Sequence, residues 1–359
     1  MTRFAELIGQ GLPSAVLRKA VREDRINHAY LFAGPEGAGK LTAALAFAAA
    51  LNCEAPEESG DSCGSCTSCR MMAGAGHPDV EVIPPLRADT TIRQMREMRR
   101  IAHYVPVRGK WKVVIIEQAD TLNEDSSSCI LKILEEPPPY LVIILLSRNP
   151  VLLLPTIRSR CLLVRFSNVQ LEELGDALAE RFGATEEQAR FLAAYSEGRP
   201  GRAISLLGDE SFFAWRRQMV ELAGAISSSD LRHALRLSSE LQKLAPGDKE
   251  DESAQESEPA ADVEPEDRPA SSPKKGKRAA ALVAIDALVL WYRDLLSLSI
   301  RGQDAELINN DLRDKLAACS PDPSRISAAI ETLLWARRAI EGNANIQLTT
   351  DITLMRLMA

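Results

Sequence analysis

Aromatic side chains are scarce in this sequence, at 5% of 359 residues, and there is no excess of positive charge: 50 Asp and Glu against 43 Lys and Arg leave −7 at pH 7. That balance excludes a chain that grips nucleic acid through overall basicity, so such a contact would need a local patch. The N-terminal MTRFAELIGQ lacks the apolar core of a secretory signal. No clean apolar run spans a bilayer; the best candidate, 279–300, is interrupted by Asp286, Arg293 and Asp294 and reads as a helix buried in a bundle. These absences lead to the expectation of a cytoplasmic protein with no membrane segment. Ala and Leu are abundant, which favours helix. An apolar content of 45% supports a substantial core, and 359 residues are enough for two or three domains.

Residues 1–166 read as an α/β domain. Tyr30–Ala33, Val113–Ile116 and Leu141–Leu146 are short aliphatic runs between helical segments, the pattern of parallel strands buried on both faces. Beyond them strand signals vanish. Segments 171–182, 185–196 and 200–207 read as short amphipathic helices within 167–208, with Pro200 suited to a first turn. Residues 209–359 read as a second all-helical region, helical from about Ser211 to Leu244 and again from Ala279. Between them, 246–278 is acidic and of low complexity, without large apolar residues apart from Val263. Such a stretch cannot offset its ordering entropy and is expected to be disordered, with KKGKR at 274–278 as its solvated end.

Between the first strand and an Ala-rich helix stands Gly34-Pro-Glu-Gly-Ala-Gly39-Lys40. In that context Gly34, Gly37 and Gly39 let backbone amides curl around a phosphate, and Lys40 adds a point charge at the helix N-terminus. The next residue should carry the hydroxyl that holds Mg²⁺, but it is Leu41; Thr42 completes the candidate cradle about 100° further round the helix. Val113-Val-Ile-Ile-Glu117-Gln118-Ala-Asp120 has the form of the metal-holding strand. Glu117 replaces the usual Asp, and neutral Gln118 stands where a carboxylate would polarise water. ATP binding stays open, and impaired hydrolysis is expected.

Cys53, Cys63, Cys66 and Cys69 form C-x9-C-x2-C-x2-C in a polar loop. Four thiolates would close a tetrahedral structural Zn²⁺ site with no position left for water; disulfides or free thiols are the alternative. His77 is a spare candidate ligand. Cys129, Cys161 and Cys319 are scattered and expected to be small buried apolar residues.

His28-Ala-Tyr-Leu-Phe, His77-Pro-Asp79, Ile115-Ile-Glu-Gln-Ala-Asp120 and Leu131-Lys-Ile-Leu-Glu-Glu-Pro-Pro138 together resemble bacterial clamp-loader AAA+ subunits. So do Ser147-Arg-Asn149, Thr156-Ile-Arg-Ser-Arg-Cys161 and Asn343-Ala-Asn-Ile-Gln-Leu348, in the family's order. The altered loop resembles the delta-prime branch more than the ATP-hydrolysing gamma/tau branch. The resemblance implies a RecA-like AAA+ P-loop domain with a zinc insert at 53–69, an all-α lid and an all-α C-terminal collar. It implies gamma/tau and delta subunits as partners in a pentameric ring that loads a sliding clamp of the DNA polymerase III holoenzyme on primer–template DNA. It also implies that Arg160 reaches a neighbour's nucleotide as an arginine finger, that Asn149 resembles a polar sensor and that Arg202 resembles the lid arginine. Arg158 reads as solvated. Arg93, Arg96 and Arg100 share a helical face that is either solvated or a phosphate track. A gamma-like active ATPase and a zinc-dependent nucleic-acid-binding protein remain alternatives.

Overall fold

Strands form where aliphatic residues run together between polar turns. In the computed structural model, which describes residues 3–74, 76–84, 92–228, 273–319 and 322–358, these runs build a five-stranded sheet of order β2-β3-β4-β1-β5. The strands are β1 (Ala29–Ala33), β2 (Val80–Ile83), β3 (Lys112–Ile116), β4 (Leu141–Ser147) and β5 (Leu162–Arg165), and every pairing is parallel. The helices between them are α1 (Gly11–Arg22), α2 (Lys40–Leu51), α3 (Thr67–Ala73), α4 (Ile92–Ala102), α5 (Glu124–Glu135) and α6 (Pro155–Arg158). Parallel neighbours need such crossovers. This is the expected parallel α/β architecture.

Alternation along each strand sends side chains to opposite faces. Tyr30, Phe32, Val113, Ile115, Val142 and Ile144 join one core with Leu17 and Phe47. Leu31, Val114, Ile116, Ile143 and Leu145 join the other with Met98, Ile130 and Ile133. Helix α2 is almost wholly buried, which explains why it is Ala-rich and shows no polar face.

The chain divides into two compact units, one of residues 1–183 and 196–204 and the other of 184–195 and 205–359. After α7 (Leu171–Phe182), α8 (Glu186–Tyr195) and α9 (Pro200–Leu207) come α10 (Glu210–Ser228), α11 (Pro273–Arg301), α12 (Arg313–Ala318), α13 (Pro323–Glu341) and α14 (Ile346–Met358). In the second unit, Phe212 stacks on Trp215 with ring centroids 5.6 Å apart, and Arg216 stands 3.8 Å over Phe191. Asp294, fully buried in α11, accepts the backbone N–H groups of Ile308 and Asn309 and the Asn309 amide. Among the described residues, no helix is long and apolar enough to cross a membrane.

Two expectations are corrected here. Helix α11 begins at Pro273, so the sequence 273–278 is helical and not the linker's end. Proline is tolerated at a first turn, and the Lys and Arg that follow are good helix formers. The rest of the expected linker, 246–272, and the helix expected over 229–244 lie outside the described residues. Secondly, Cys129, Cys161 and Cys319 are half-buried, not buried. Each belongs to a sequence that contributes only one side to a core, as where Cys129 and Cys161 flank the second core cluster.

Candidate nucleotide pocket, cysteine cluster and surface arginine

The chain leaves β1 and turns through Gly37 and Gly39, whose φ values of 80° and 92° are left-handed and favour glycine. A cavity of about 230 Å³ opens at this loop, bordered by Gly37, Gly39, Lys40, Leu41, Thr42, Glu117, Gln118 and Arg148. Thr42 thus borders the cavity beside Leu41, one residue later than the metal-holding position. Lys40 Nζ donates to the carbonyls of Gly34 and Pro35 at 2.5 and 2.7 Å. Burial pushes its ammonium below the ordinary value; Asp120 and Glu36 work against that shift, and Arg148 adds to it.

The first turn of α9 lies against the same loop. Gly201 N–H donates to the Gly37 carbonyl at 2.8 Å, and a Cβ added to Gly37 would meet the Arg202 nitrogen at 3.3 Å. The backbone of Arg202 therefore packs against the loop. Across the cavity, burial alone pushes the Glu117 carboxyl up. Gln118 holds a left-handed backbone at φ 47°. Asn149 is exposed and caps its own turn, its Oδ1 accepting from Val151 N–H at 3.1 Å. Its neighbour Arg148 borders the pocket instead, donating to Glu36 at 2.9 Å and lying 3.9 Å from Asp120.

The cysteines come together. The Sγ atoms of Cys53, Cys63, Cys66 and Cys69 all lie within 4.8 Å of one another. Cys53–Cys66 and Cys63–Cys69 are 3.9 Å apart and Cys53–Cys69 3.7 Å. A tetrahedral ion with metal–sulfur bonds of about 2.3 Å needs sulfur–sulfur edges of about 3.8 Å. The backbone N–H groups of Cys63, Cys66 and Cys69 point at the sulfurs of Cys53, Cys63 and Cys66 at 3.3–3.4 Å, as thiolates require. Donation from Ser65 and Cys66 holds the Cys63 thiol down at about 6, whereas burial pushes Cys53 and Cys69 up. The cluster fits a metal ion. His77 is not part of it: its Nδ1 accepts the Asp79 N–H at 3.1 Å.

Arg160 follows α6 and is exposed. Its Nη1 donates to the Thr156 carbonyl and its Nη2 to Glu135, each at 3.0 Å. Arg158 is also exposed. Arg100, on α4, pairs with Glu97 at 2.6 Å and lies over Tyr104; the side chains of Arg93 and Arg96 lie outside the described residues.

The family model described as DNA polymerase III, delta subunit, matches residues 9–170. The DNA polymerase III subunit delta' of Bacillus subtilis is 27% identical over 334 residues, 92% of this chain and 91% of that protein. Its counterpart in Pseudomonas aeruginosa is 37% identical over 200 residues, 54% of this chain and 60% of that protein. The chain is thus similar to delta' subunits of the DNA polymerase III clamp loader, to one of them over nearly its whole length. The gamma/tau subunit of Mycobacterium tuberculosis is similar over a shorter stretch, 39% over 158 residues, covering 27% of that protein.

Two anchors of this chain escaped sequence reasoning. Asp79, fully buried, accepts the N–H groups of Val107, Arg108 and Gly109 at 2.7, 2.8 and 2.7 Å, fixing the loop that enters β3. Asp61, in the cysteine loop, accepts the N–H groups of Phe4 and Ala5 at 3.0 Å and Arg18 at 3.2 Å, tying that loop to the N-terminal segment. His77-Pro-Asp79 was visible as a motif; its carboxylate's partners were not. Arg148 and Glu135 were likewise unremarked, although both lie inside quoted motifs.

Proposed function

We propose that this chain acts as a delta-prime-type subunit of the clamp loader, a hydrolysis-impaired partner that offers Arg160 to a nucleotide held by a neighbouring ATPase subunit. The observation that carries the reading is the pocket's border. Leu41 and Gln118 stand there, where hydrolysis needs a metal-holding hydroxyl and a carboxylate to orient water. Arg160 supports it from the other side, because a planar, permanently charged fork at an exposed position suits bidentate contact with phosphate oxygens. Gly34, Gly37, Gly39, Lys40 and Thr42 would cradle any bound nucleotide, with Arg202 against the loop and Asn149 beside it. The four cysteines would hold a structural Zn²⁺ that supplies order to a loop with little core.

In this reading residues 167–208 form a lid and 209–359 a collar that joins gamma/tau and delta subunits in a cytoplasmic ring of five. The assembled ring would place a sliding clamp on primer–template DNA. A second reading, an active gamma/tau-like ATPase that tolerates Leu41, draws support from Thr42 on the cavity's border.

Steady-state ATP hydrolysis separates the two. The isolated, zinc-loaded chain is expected to show no turnover, and the complex with gamma and delta subunits to hydrolyse ATP at a rate that Arg160→Ala lowers while assembly persists. Robust turnover by the isolated chain, abolished by Lys40→Ala, overturns the impaired-loop reading. An unchanged rate in the Arg160→Ala complex overturns the role of Arg160.

A further inference from the structure

Arg160 is not a loose surface side chain. Helix α5 ends at Glu135 and α6 ends just before Arg160, so two separate elements present acceptors to one guanidinium. The Thr156 carbonyl takes one N–H of Nη1 and Glu135 Oε1 takes one of Nη2, both at 3.0 Å. An arginine fork has five N–H donors in one plane. Two points of attachment fix that plane, and the Nε–H and one N–H on each terminal nitrogen have no partner among the described residues.

We propose that Glu135 is a positioning residue for Arg160, holding the guanidinium so that its remaining donors face a phosphate of a nucleotide bound to a neighbouring chain. The proposal rests on the reading of Arg160 given above and assigns the orientation of that group to a second residue. Magnitude decides between holding and withholding. Side-chain exposures of 37% for Arg160 and 53% for Glu135 leave the pair well solvated. Such a pair is weakly bound, too weakly to keep an arginine from a polyphosphate. It is still enough to bias an otherwise freely rotating side chain towards one geometry, which lowers the ordering lost when phosphate is met. Glu135 engages Nη2 through one oxygen only, so the fork is not consumed by a bidentate pair.

The test uses the full-length chain reconstituted with its ATP-hydrolysing gamma and delta partners, with assembly checked by size-exclusion chromatography. Glu135→Ala is expected to lower kcat for ATP hydrolysis about two- to fivefold, the scale of an exposed charge pair, with KM for ATP unchanged. Glu135→Gln keeps an acceptor oxygen and is expected to recover most of that loss. In an Arg160→Ala background, Glu135→Ala should have no further effect, which a general structural role would not reproduce. The proposal is overturned if Glu135→Ala leaves kcat unchanged while Arg160→Ala lowers it, or if the two losses simply multiply. A rate increase in Glu135→Ala also overturns it, since the carboxylate would then be competing with the phosphate. If Arg160→Ala itself has no effect, the reading of Arg160 fails and this proposal falls with it.

Discussion

Asp79 offers the most direct test of the reasoning, because one side chain supports the entry to the strand that leads into Glu117 and Gln118. Its carboxylate is fully buried and accepts three backbone N–H bonds of 2.7–2.8 Å from Val107, Arg108 and Gly109. Hydrogen bonds to a charged group contribute about 1.5–3 kcal/mol each. The three share one acceptor group, and the exposed loop can partly turn to water once released, so the sum is an upper bound. Asp79→Ala is expected to cost about 3 kcal/mol, or about 6–12 °C in Tm for a unit of this size. Asp79→Asn, with one acceptor oxygen left, should cost about 2 kcal/mol. Urea titration at constant m-value measures both; a loss below about 1 kcal/mol for Asp79→Ala would refute the reasoning. The pH dependence supplies a second check. Burial pushes the Asp79 carboxyl up, but the N–H donors of Gly109, Val107 and Arg108 outweigh it and leave the group below its ordinary value. Its stabilisation is therefore present above the unfolded value of about 3.9 and is lost as pH falls through the lower folded value. Burial lowers His77 as well, so its contribution is present above about 6.5 and declines as pH falls below that. Asp79→Asn should flatten the carboxylate part of the acid limb and leave the histidine part in place.

Two further outcomes follow from the same contacts. The purified chain should carry one metal ion on the four cysteines, and chelation should speed amide exchange at Phe4 and Ala5 at least about tenfold, because Asp61 ties their N–H groups to the cysteine loop; metal loss with unchanged exchange there would sink the coupling. Gly198→Ala places a Cβ 2.2 Å from the Val169 carbonyl at a φ of +72°, and should destabilise by about 2–4 kcal/mol in thermal unfolding; a loss under about 1 kcal/mol would show that the segment yields.

The central strands were legible because burial on both faces leaves an aliphatic signature. β3 and β4 are buried along their whole length. β2 and β5 were not, since both are sheet edges and their half-exposed positions admit Glu81 and Arg165, breaking the run. The three helices after the sheet appeared almost where the periodicity of 171–207 put them. At the site, spacing brought the cysteines together correctly, because thiols at x2 intervals converge through local turns. Contacts that join distant segments had no local signal. Glu135 to Arg160 spans 25 residues and Arg148 to Glu36 spans 112. No periodicity or motif spacing encodes which carboxylate a given arginine will meet.

The pocket's own hydrogen bonds bear on why an intact-looking loop need not behave as an ordinary one. Lys40, the residue that would meet phosphate oxygens, already satisfies the Gly34 and Pro35 carbonyls. The Gly37 carbonyl is taken by Gly201, and Arg148 bridges towards Glu36 and Asp120 across the cavity's border. A nucleotide entering here would have to exchange these contacts for its own, so only the difference between the two sets would appear as affinity. The Lys40 exchange replaces bonds from the ammonium to neutral carbonyls by contact between opposite charges, and is the favourable one. Moving Arg148 off Glu36 is close to neutral, because that pair is exposed on both sides, whereas its 3.9 Å contact with the largely buried Asp120 carboxylate would be given up. Hydrolysis is a separate matter: it needs the metal and the oriented water, and neither Leu41 nor Gln118 supplies the group that holds them. Under the proposed reading, binding and turnover would be set by different residues of one pocket, and nucleotide binding to the isolated chain would be compatible with an absence of turnover.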